Sequence, residues 1–285
     1  MTASSGPGIS LMQEFFSFAS SQMVPMVIAD IMRGGPGSAG TGLYSQADYF
    51  QITKSGGHGG YRTIVLAPFS SQECFDLIQL AFYLADKYRM VVIVASDGLL
   101  GHSSETVNLE TIEFESLPEK TWALKRILEG KEWLPVGSDG ALFGYPEGIK
   151  YYLERNETYK TLREKEVRYK HYSVDDADIL LVSFGWVARM ALEAVRIARF
   201  EGLKVGLLRP ITLFPFPTEE IREAAVNSGK VLVVEDSPGL MVEDVETAVQ
   251  GKVPVHLLGA WGRNQPGMHG IIQPGRILEE VKGLI

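Results

Sequence analysis

A two-domain α/β fold is predicted by three observations: short apolar runs recur along the chain, amphipathic stretches separate them, and the length is 285 residues. At about 150 residues per domain that length favours two cores. A hydrophobic content of 45% against 22% charged residues excludes disorder as a description of the whole.

The elements follow in order. Ile9 to about Met23 reads as a helix preceded by a serine- and glycine-rich turn, with no strand assigned before it. Met26 to Ile31, ending in Asp30 and a glycine-rich stretch, suits a buried parallel strand feeding a loop at its carboxyl end. Thr63 to Leu66 is a second strand. Ser70 and Ser71 then open a helix with apolar residues at Phe75, Ile78, Leu80, Phe82 and Leu84, closed by Lys87 and Arg89, cations suited to its carboxyl end. Met90 to Ala95 is the next strand. From Gly98 to about Tyr172 the period is lost among charged and aromatic segments and Pro118, Pro135 and Pro146, which predicts a connector. Alternation resumes with strands at Ile179–Phe184, Lys204–Leu208, Lys230–Val234 and Val255–Leu258. Helices fall at Val187–Phe200, from Thr218, at Val242–Val249 and from Pro274 to the end. The division expected is residues 1–172, with connector from about 98, and 173–285.

Several function classes are disfavoured. The net charge of −8, from 27 basic and 35 acidic residues without a compensating Lys/Arg block, argues against nucleic acid or an anionic membrane as the main partner. Apolar runs are far shorter than the roughly 20 residues of a membrane span. With no signal-like amino terminus, a cytoplasmic location is expected. The single cysteine, Cys74, allows neither a disulfide framework nor a cysteine-ligated iron–sulfur cluster within the chain.

Three constellations could carry chemistry. Ser4-Ser5-Gly6-Pro7-Gly8 lies at a helix start, where glycine lets backbone approach a ligand and unpaired N–H groups favour anions; a serine-capped helix after a tight turn is the plainer alternative. Arg33, in Arg33-Gly34-Gly35-Pro36-Gly37 just past a predicted strand, could hold a ligand carboxylate by two parallel hydrogen bonds, or be an ordinary solvated arginine. His58, among Gly56, Gly57, Gly59 and Gly60, is accessible to a ligand, unless these glycines serve mobility alone. None of the histidines, His58, His102, His171, His256 and His269, has a second His or Cys at metal-ligand spacing, so no metal is assigned.

These residues resemble a known family. Thr2 to Gly8, Met32 to Gly37, Gln46-Ala47-Asp48-Tyr49-Phe50 and Gly56-Gly57-His58-Gly59 run in the order seen in the α subunit of 2-oxoacid:ferredoxin oxidoreductases, and Ile64 to Pro68 with Asp97-Gly98 continue the match. Leu208 to Pro217, Glu235-Asp236-Ser237 and Met241 to Val245 look like that subunit's transketolase-carboxyl-terminal-like domain. The resemblance implies a thiamine-diphosphate pyrimidine-type domain followed by that second α/β domain. It also implies oxidative decarboxylation of a 2-oxoacid with coenzyme A, giving acyl-CoA, carbon dioxide and two electrons for ferredoxin. Thiamine diphosphate would lie at the interface with a β subunit, with Mg2+ and an iron–sulfur cluster on partner subunits, and γ and ferredoxin-like δ subunits would complete the assembly. Arg33 matches the arginine that holds the substrate carboxylate. Ser5 and Gly6 would line the cofactor, and His58 would lie near the cleft.

Family α subunits carry a further strand and an activating glutamate before Ser-Gly-Pro-Gly. The first domain is therefore expected to be amino-terminally truncated, and no catalytic residue is assigned. The loop Gly37 to Gly42 also departs from the family pattern. The motifs look most like the branched-chain enzymes that oxidise 3-methyl-2-oxobutanoate. Between Gly34 and Gly60 the basic side chains are Lys54 and His58, too few to favour a second substrate carboxylate, while Leu43, Tyr44, Tyr49 and Phe50 could surround an aliphatic tail. Competing readings are a 2-oxoglutarate:ferredoxin oxidoreductase subunit, a lipoamide-linked 2-oxoacid dehydrogenase component, and a non-catalytic α/β interaction subunit.

Overall fold

The computed structural model describes residues 1–37, 44–117, 119, 120, 122, 129, 130, 147–259 and 272–285. Leu43, most of the Gly37–Gly42 loop, Pro118, Pro135, Pro146 and His269 lie outside the described residues. The chain runs β1 (Thr2–Ser4), α1 (Gly6–Ser21), β2 (Met26–Met32), α2 (Tyr49–Thr53), β3 (Ile64–Leu66), α3 (Ser71–Tyr88), β4 (Val91–Asp97) and α4 (Gly98–His102). After the connector come α5 (Glu147–Lys165), β5 (Tyr169–Tyr172), β6 (Ile179–Val182), α6 (Gly185–Phe200), β7 (Val205–Pro210) and β8 (Thr212–Phe214). The chain closes with α7 (Thr218–Ser228), β9 (Val231–Glu235), α8 (Met241–Val249), β10 (Val255–Gly259) and α9 (Pro274–Leu284).

Two five-stranded sheets result, ordered β1-β2-β4-β3-β8 and β10-β9-β6-β7-β5. Their pairings are parallel except at β8 and β5, which lie antiparallel along one edge of each sheet. The central strands β4 and β6 are buried along their whole length. That explains why they read in sequence as continuous apolar runs rather than alternating ones. α3 is bounded as its sequence suggests: Ser70 Oγ accepts the Glu73 N–H at 3.2 Å, and Arg89 adopts a left-handed conformation at its end.

Three apolar clusters hold the layers. One joins α1, α2 and a face of the first sheet to α7, α8 and a face of the second. Another packs α6 and α9 on the far side of the second sheet, and the third packs α3, with Leu162 of α5, on the far side of the first. The expected division between residues 172 and 173 follows the chain but not the sheets. β5 precedes it and edges the second sheet, whereas β8 follows it and edges the first.

Two expectations are corrected. The glycine turn does have a strand before it: β1 pairs with β2 in the register Thr2–Ile28 to Ser4–Asp30, an element only three residues long whose side chains gave no apolar signal. The presumed connector contains α5, a 19-residue helix whose charged surface hides its period; Leu162 and Arg155 are its buried positions, and Lys150–Glu154 is an i,i+4 pair. Among the described residues no helix is long and apolar enough to cross a membrane.

Candidate functional site

β1 and β2 end side by side, and their carboxyl ends bring together the first two sequence-predicted constellations. Gly6 opens α1 at φ +42°, a conformation that suits a residue without Cβ. A Cβ added there would stand 3.2 Å from Arg33 Nε and 3.4 Å from Cζ, so the guanidinium lies across the Gly6 backbone. Ser5 occupies the N-cap position without a side-chain cap bond, so the serine-capped-helix alternative is not what this turn is built for. Arg33, half-buried, donates from Nη1 to its neighbour Gly34 O at 3.1 Å.

A residue that had received no role links the two. Asp48, buried ahead of α2, accepts the Gly6 N–H at 3.0 Å on Oδ2 and the Gln51 amide at 2.6 Å on Oδ1. The Arg33 backbone N–H bonds the same carboxylate. Burial raises the Asp48 pKa, and these bonds and the nearby guanidinium pull it back. Beside it on β2 lies Asp30, fully buried, with neither carboxyl oxygen bonded among the described residues. Burial first and the Asp48 charge second push its pKa well above the ordinary 3.8. The sequence signal for Asp48 was its place in Gln46-Ala47-Asp48-Tyr49-Phe50. Asp30 was visible as a carboxyl group inside an apolar run.

His58 stands elsewhere. Its ring is 77% exposed, with Nε2 3.3 Å from Glu14 Oε2, and its carbonyl accepts from Ser17 Oγ at 2.9 Å. At about 1.5 Å of helix rise per residue, Glu14 is roughly 12 Å along α1 from Gly6, so the described residues place His58 on an exposed flank of α1 rather than beside the Gly6 turn. Gly56 and Gly57 serve close packing, since a Cβ would meet Gln13 at 2.9 and 2.7 Å, whereas Gly59 and Gly60 take positive φ in open space. Tyr49 and Phe50 are likewise reassigned. Tyr49 is buried in the core with its hydroxyl donating to Asp244 Oδ2 at 2.7 Å, and Phe50 packs against that core. Tyr44 bridges to Arg33 and closes over Gly98.

A second polar group seals the seam between the sheets. Gln46 donates through Nε2 to Phe184 O at 2.9 Å, accepts the Asp236 N–H at 2.9 Å and donates its own N–H to Asp236 O at 2.6 Å; Ser45 Oγ adds a bond to that carbonyl. Burial, with Asp97 nearby, pushes the Asp236 side chain up to about 8. No group of three potential metal ligands occurs among the described residues.

The strand-turn-helix geometry at Gly6, with an arginine and a buried carboxylate at the ends of parallel strands, sits in an α/β chain of two parallel-rich sheets with helices on both faces of each. A solved split-gene transketolase, described as an inactive β4 tetramer, superposes with a TM-score of 0.54 at 14% identity, covering 99% of this chain and 75% of that one. Residues 1–137 match the family described as Pyruvate flavodoxin/ferredoxin oxidoreductase, thiamine diP-bdg, and residues 177–271 match Pyruvate:ferredoxin oxidoreductase core domain II. The ketoisovalerate oxidoreductase subunit VorB of Methanothermobacter marburgensis is 46% identical over 283 residues, 99% of this chain and 78% of its own length. The 2-oxoglutarate synthase subunit KorA of the same organism is 36% identical, over 100% of this chain and 80% of its own. A 2-oxoglutarate:ferredoxin oxidoreductase from Magnetococcus marinus superposes with a TM-score of 0.79 at 24% identity; this chain is covered to 99% and spans about half, 52%, of that one. The chain belongs to the family of 2-oxoacid:ferredoxin oxidoreductase subunits.

Proposed function

We propose that this chain forms one wall of a thiamine diphosphate site completed by a partner subunit, in a complex that oxidises branched-chain 2-oxoacids such as 3-methyl-2-oxobutanoate. The reaction takes the 2-oxoacid anion and coenzyme A to acyl-CoA, carbon dioxide, a proton and two electrons for ferredoxin. The reading rests on Arg33, whose guanidinium lies over the Gly6 backbone at the carboxyl ends of two parallel strands, where α/β sheets bind ligands.

Ser5 and Gly6 fit the edge of a flat cofactor, because the turn presents backbone and one small hydroxyl rather than bulk. Thiamine diphosphate, when bound, supplies the electron sink for loss of carbon dioxide. Arg33 holds the substrate carboxylate by charge-assisted hydrogen bonds and orients it before it departs. No proton-transfer role is assigned among the described residues. The diphosphate, Mg2+ and the iron–sulfur cluster are assigned to the β subunit, in keeping with the single cysteine here. Further γ and ferredoxin-like δ subunits, and a cytoplasmic place of action, complete the reading. The outer face of α1, with Leu11, Phe15 and Phe18 exposed, supports burial in an assembly.

The substrate preference draws on the 46%-identical relative named for ketoisovalerate and on charge. Lys54 pairs with Asp244 and His58 with Glu14, so neither basic residue between Gly34 and Gly60 is left to meet a second carboxylate. In the reconstituted complex with coenzyme A and ferredoxin, kcat/KM for 3-methyl-2-oxobutanoate should exceed that for 2-oxoglutarate at least tenfold. A clear advantage for 2-oxoglutarate overturns the preference.

A further inference from the structure

We infer that Asp48 is a positioning residue for substrate binding, which acts by tying the backbones of Gly6 and Arg33 to one carboxylate and so fixing the guanidinium over the α1 turn. The inference rests on the reading of Arg33 given above.

Asp48 and Gly6 are 42 residues apart, and the β1–β2 pairing ends at Ser4 and Asp30, so no strand pairing fixes the turn against the end of β2 beyond that point. The Asp48 carboxylate does. It takes the Gly6 N–H on Oδ2 and the Gln51 amide on Oδ1, and it bonds the Arg33 N–H as well. Gln51 Nε2 and Ser10 Oγ both also reach Gly6 O, at 3.4 and 3.3 Å, which holds the following peptide of the same turn. The guanidinium packs closely on that turn, since a Cβ on Gly6 would stand only 3.2 Å from its Nε and 3.4 Å from Cζ.

Among the described residues no carboxylate stands within ion-pair distance of the Arg33 guanidinium. Asp48 therefore grips the arginine by its main chain and leaves the charged end for a ligand carboxylate. A direct Asp48–guanidinium pair would have quenched that charge. Asp30 completes the arrangement from below. It lies fully buried on the adjoining strand, where burial first and the Asp48 charge second raise its pKa well above the ordinary carboxyl value.

The amide of an Asp48→Asn variant cannot serve all three N–H donors, since one of its two acceptor oxygens becomes a donor. In the assembled complex, Asp48→Asn should raise KM for the 2-oxoacid about tenfold, change kcat less than threefold and leave KM for coenzyme A unchanged. Gln51→Ala, a milder perturbation of the same carboxylate, should raise the same KM two- to threefold. The decisive measurement is the double variant: if Asp48 works through Arg33, Asp48→Asn adds less than a twofold effect once Arg33 is already alanine. A scaffold role would multiply the two effects instead. Should Arg33→Ala leave KM unaltered, the reading of Arg33 fails and the inference with it. Should Arg33→Ala raise KM while Asp48→Asn and Gln51→Ala do not, or while the double variant is multiplicative, the inference alone is overturned.

Discussion

Asp236→Asn is expected to stabilise this protein increasingly as pH rises from 5 to 8.5. The parent side chain is 3% exposed in the seam between the sheets, and its Oδ1 finds no partner among the described residues. Burial first and the Asp97 charge second push its pKa from the ordinary 3.8 up to about 8. The sign follows from proton linkage: between those two values the folded state holds a proton that the unfolded chain has released, so stability present at low pH is lost as pH rises through the interval. At about 1.4 kcal/mol per pH unit the interval sets an upper limit of about 5–6 kcal/mol. Asparagine keeps the shape and cannot ionise, so the penalty disappears. The assay is thermal unfolding of the parent and the variant across this range, read as the difference between them so that every other titration cancels. From pH 5 to about 8 that slope gives about 4 kcal/mol, and at roughly 2 °C per kcal/mol for a chain of this length the difference in Tm should grow by up to about 8 °C. A difference that stays flat from pH 5 to 8.5 would refute the reasoning, because Asp236 would then be ionised throughout and solvated or paired.

The remaining predictions concern packing. Gly6→Ala should cost about 1–2 kcal/mol for a left-handed backbone bearing a Cβ, and it should raise KM for the 2-oxoacid because that Cβ meets Arg33 Nε at 3.2 Å; stability loss without a KM change would separate the turn from the arginine. Glu73→Ala should cost about 3–5 kcal/mol, the scale for stranding a buried cation. It removes both carboxylate oxygens, at 2.8 and 2.7 Å, from the fully buried Arg209, and Glu73→Gln should fall between it and the parent in denaturant midpoint.

Much of the fold was legible. The runs at Met26–Ile31, Met90–Ala95 and Lys230–Val234 became parallel strands because a strand buried on both faces must be apolar on both. The helix after Ser70 announced both of its ends by capping chemistry. β1 and α5 were not legible, since one is too short for a pattern and the other too charged to show a period. β8 received no strand assignment from sequence, and it crosses to the first sheet to pair with β3.

The site divides in the same way. Arg33, Ser5 and Gly6 could be picked out from composition and position, because an arginine among glycines past a strand and a glycine turn before a helix are local signals. The family motifs were local as well. Which residues meet is a property of long-range pairing, which no local pattern encodes. Only the tertiary structure sets Arg33 across Gly6, draws Asp48 to both, and carries His58 away along α1. It alone buries Tyr49 in the core rather than in a pocket. The physical reason is that parallel strands distant in sequence end at one edge of a sheet. Chemistry assembled there is decided by strand order and register, which are settled by packing the whole apolar core at once.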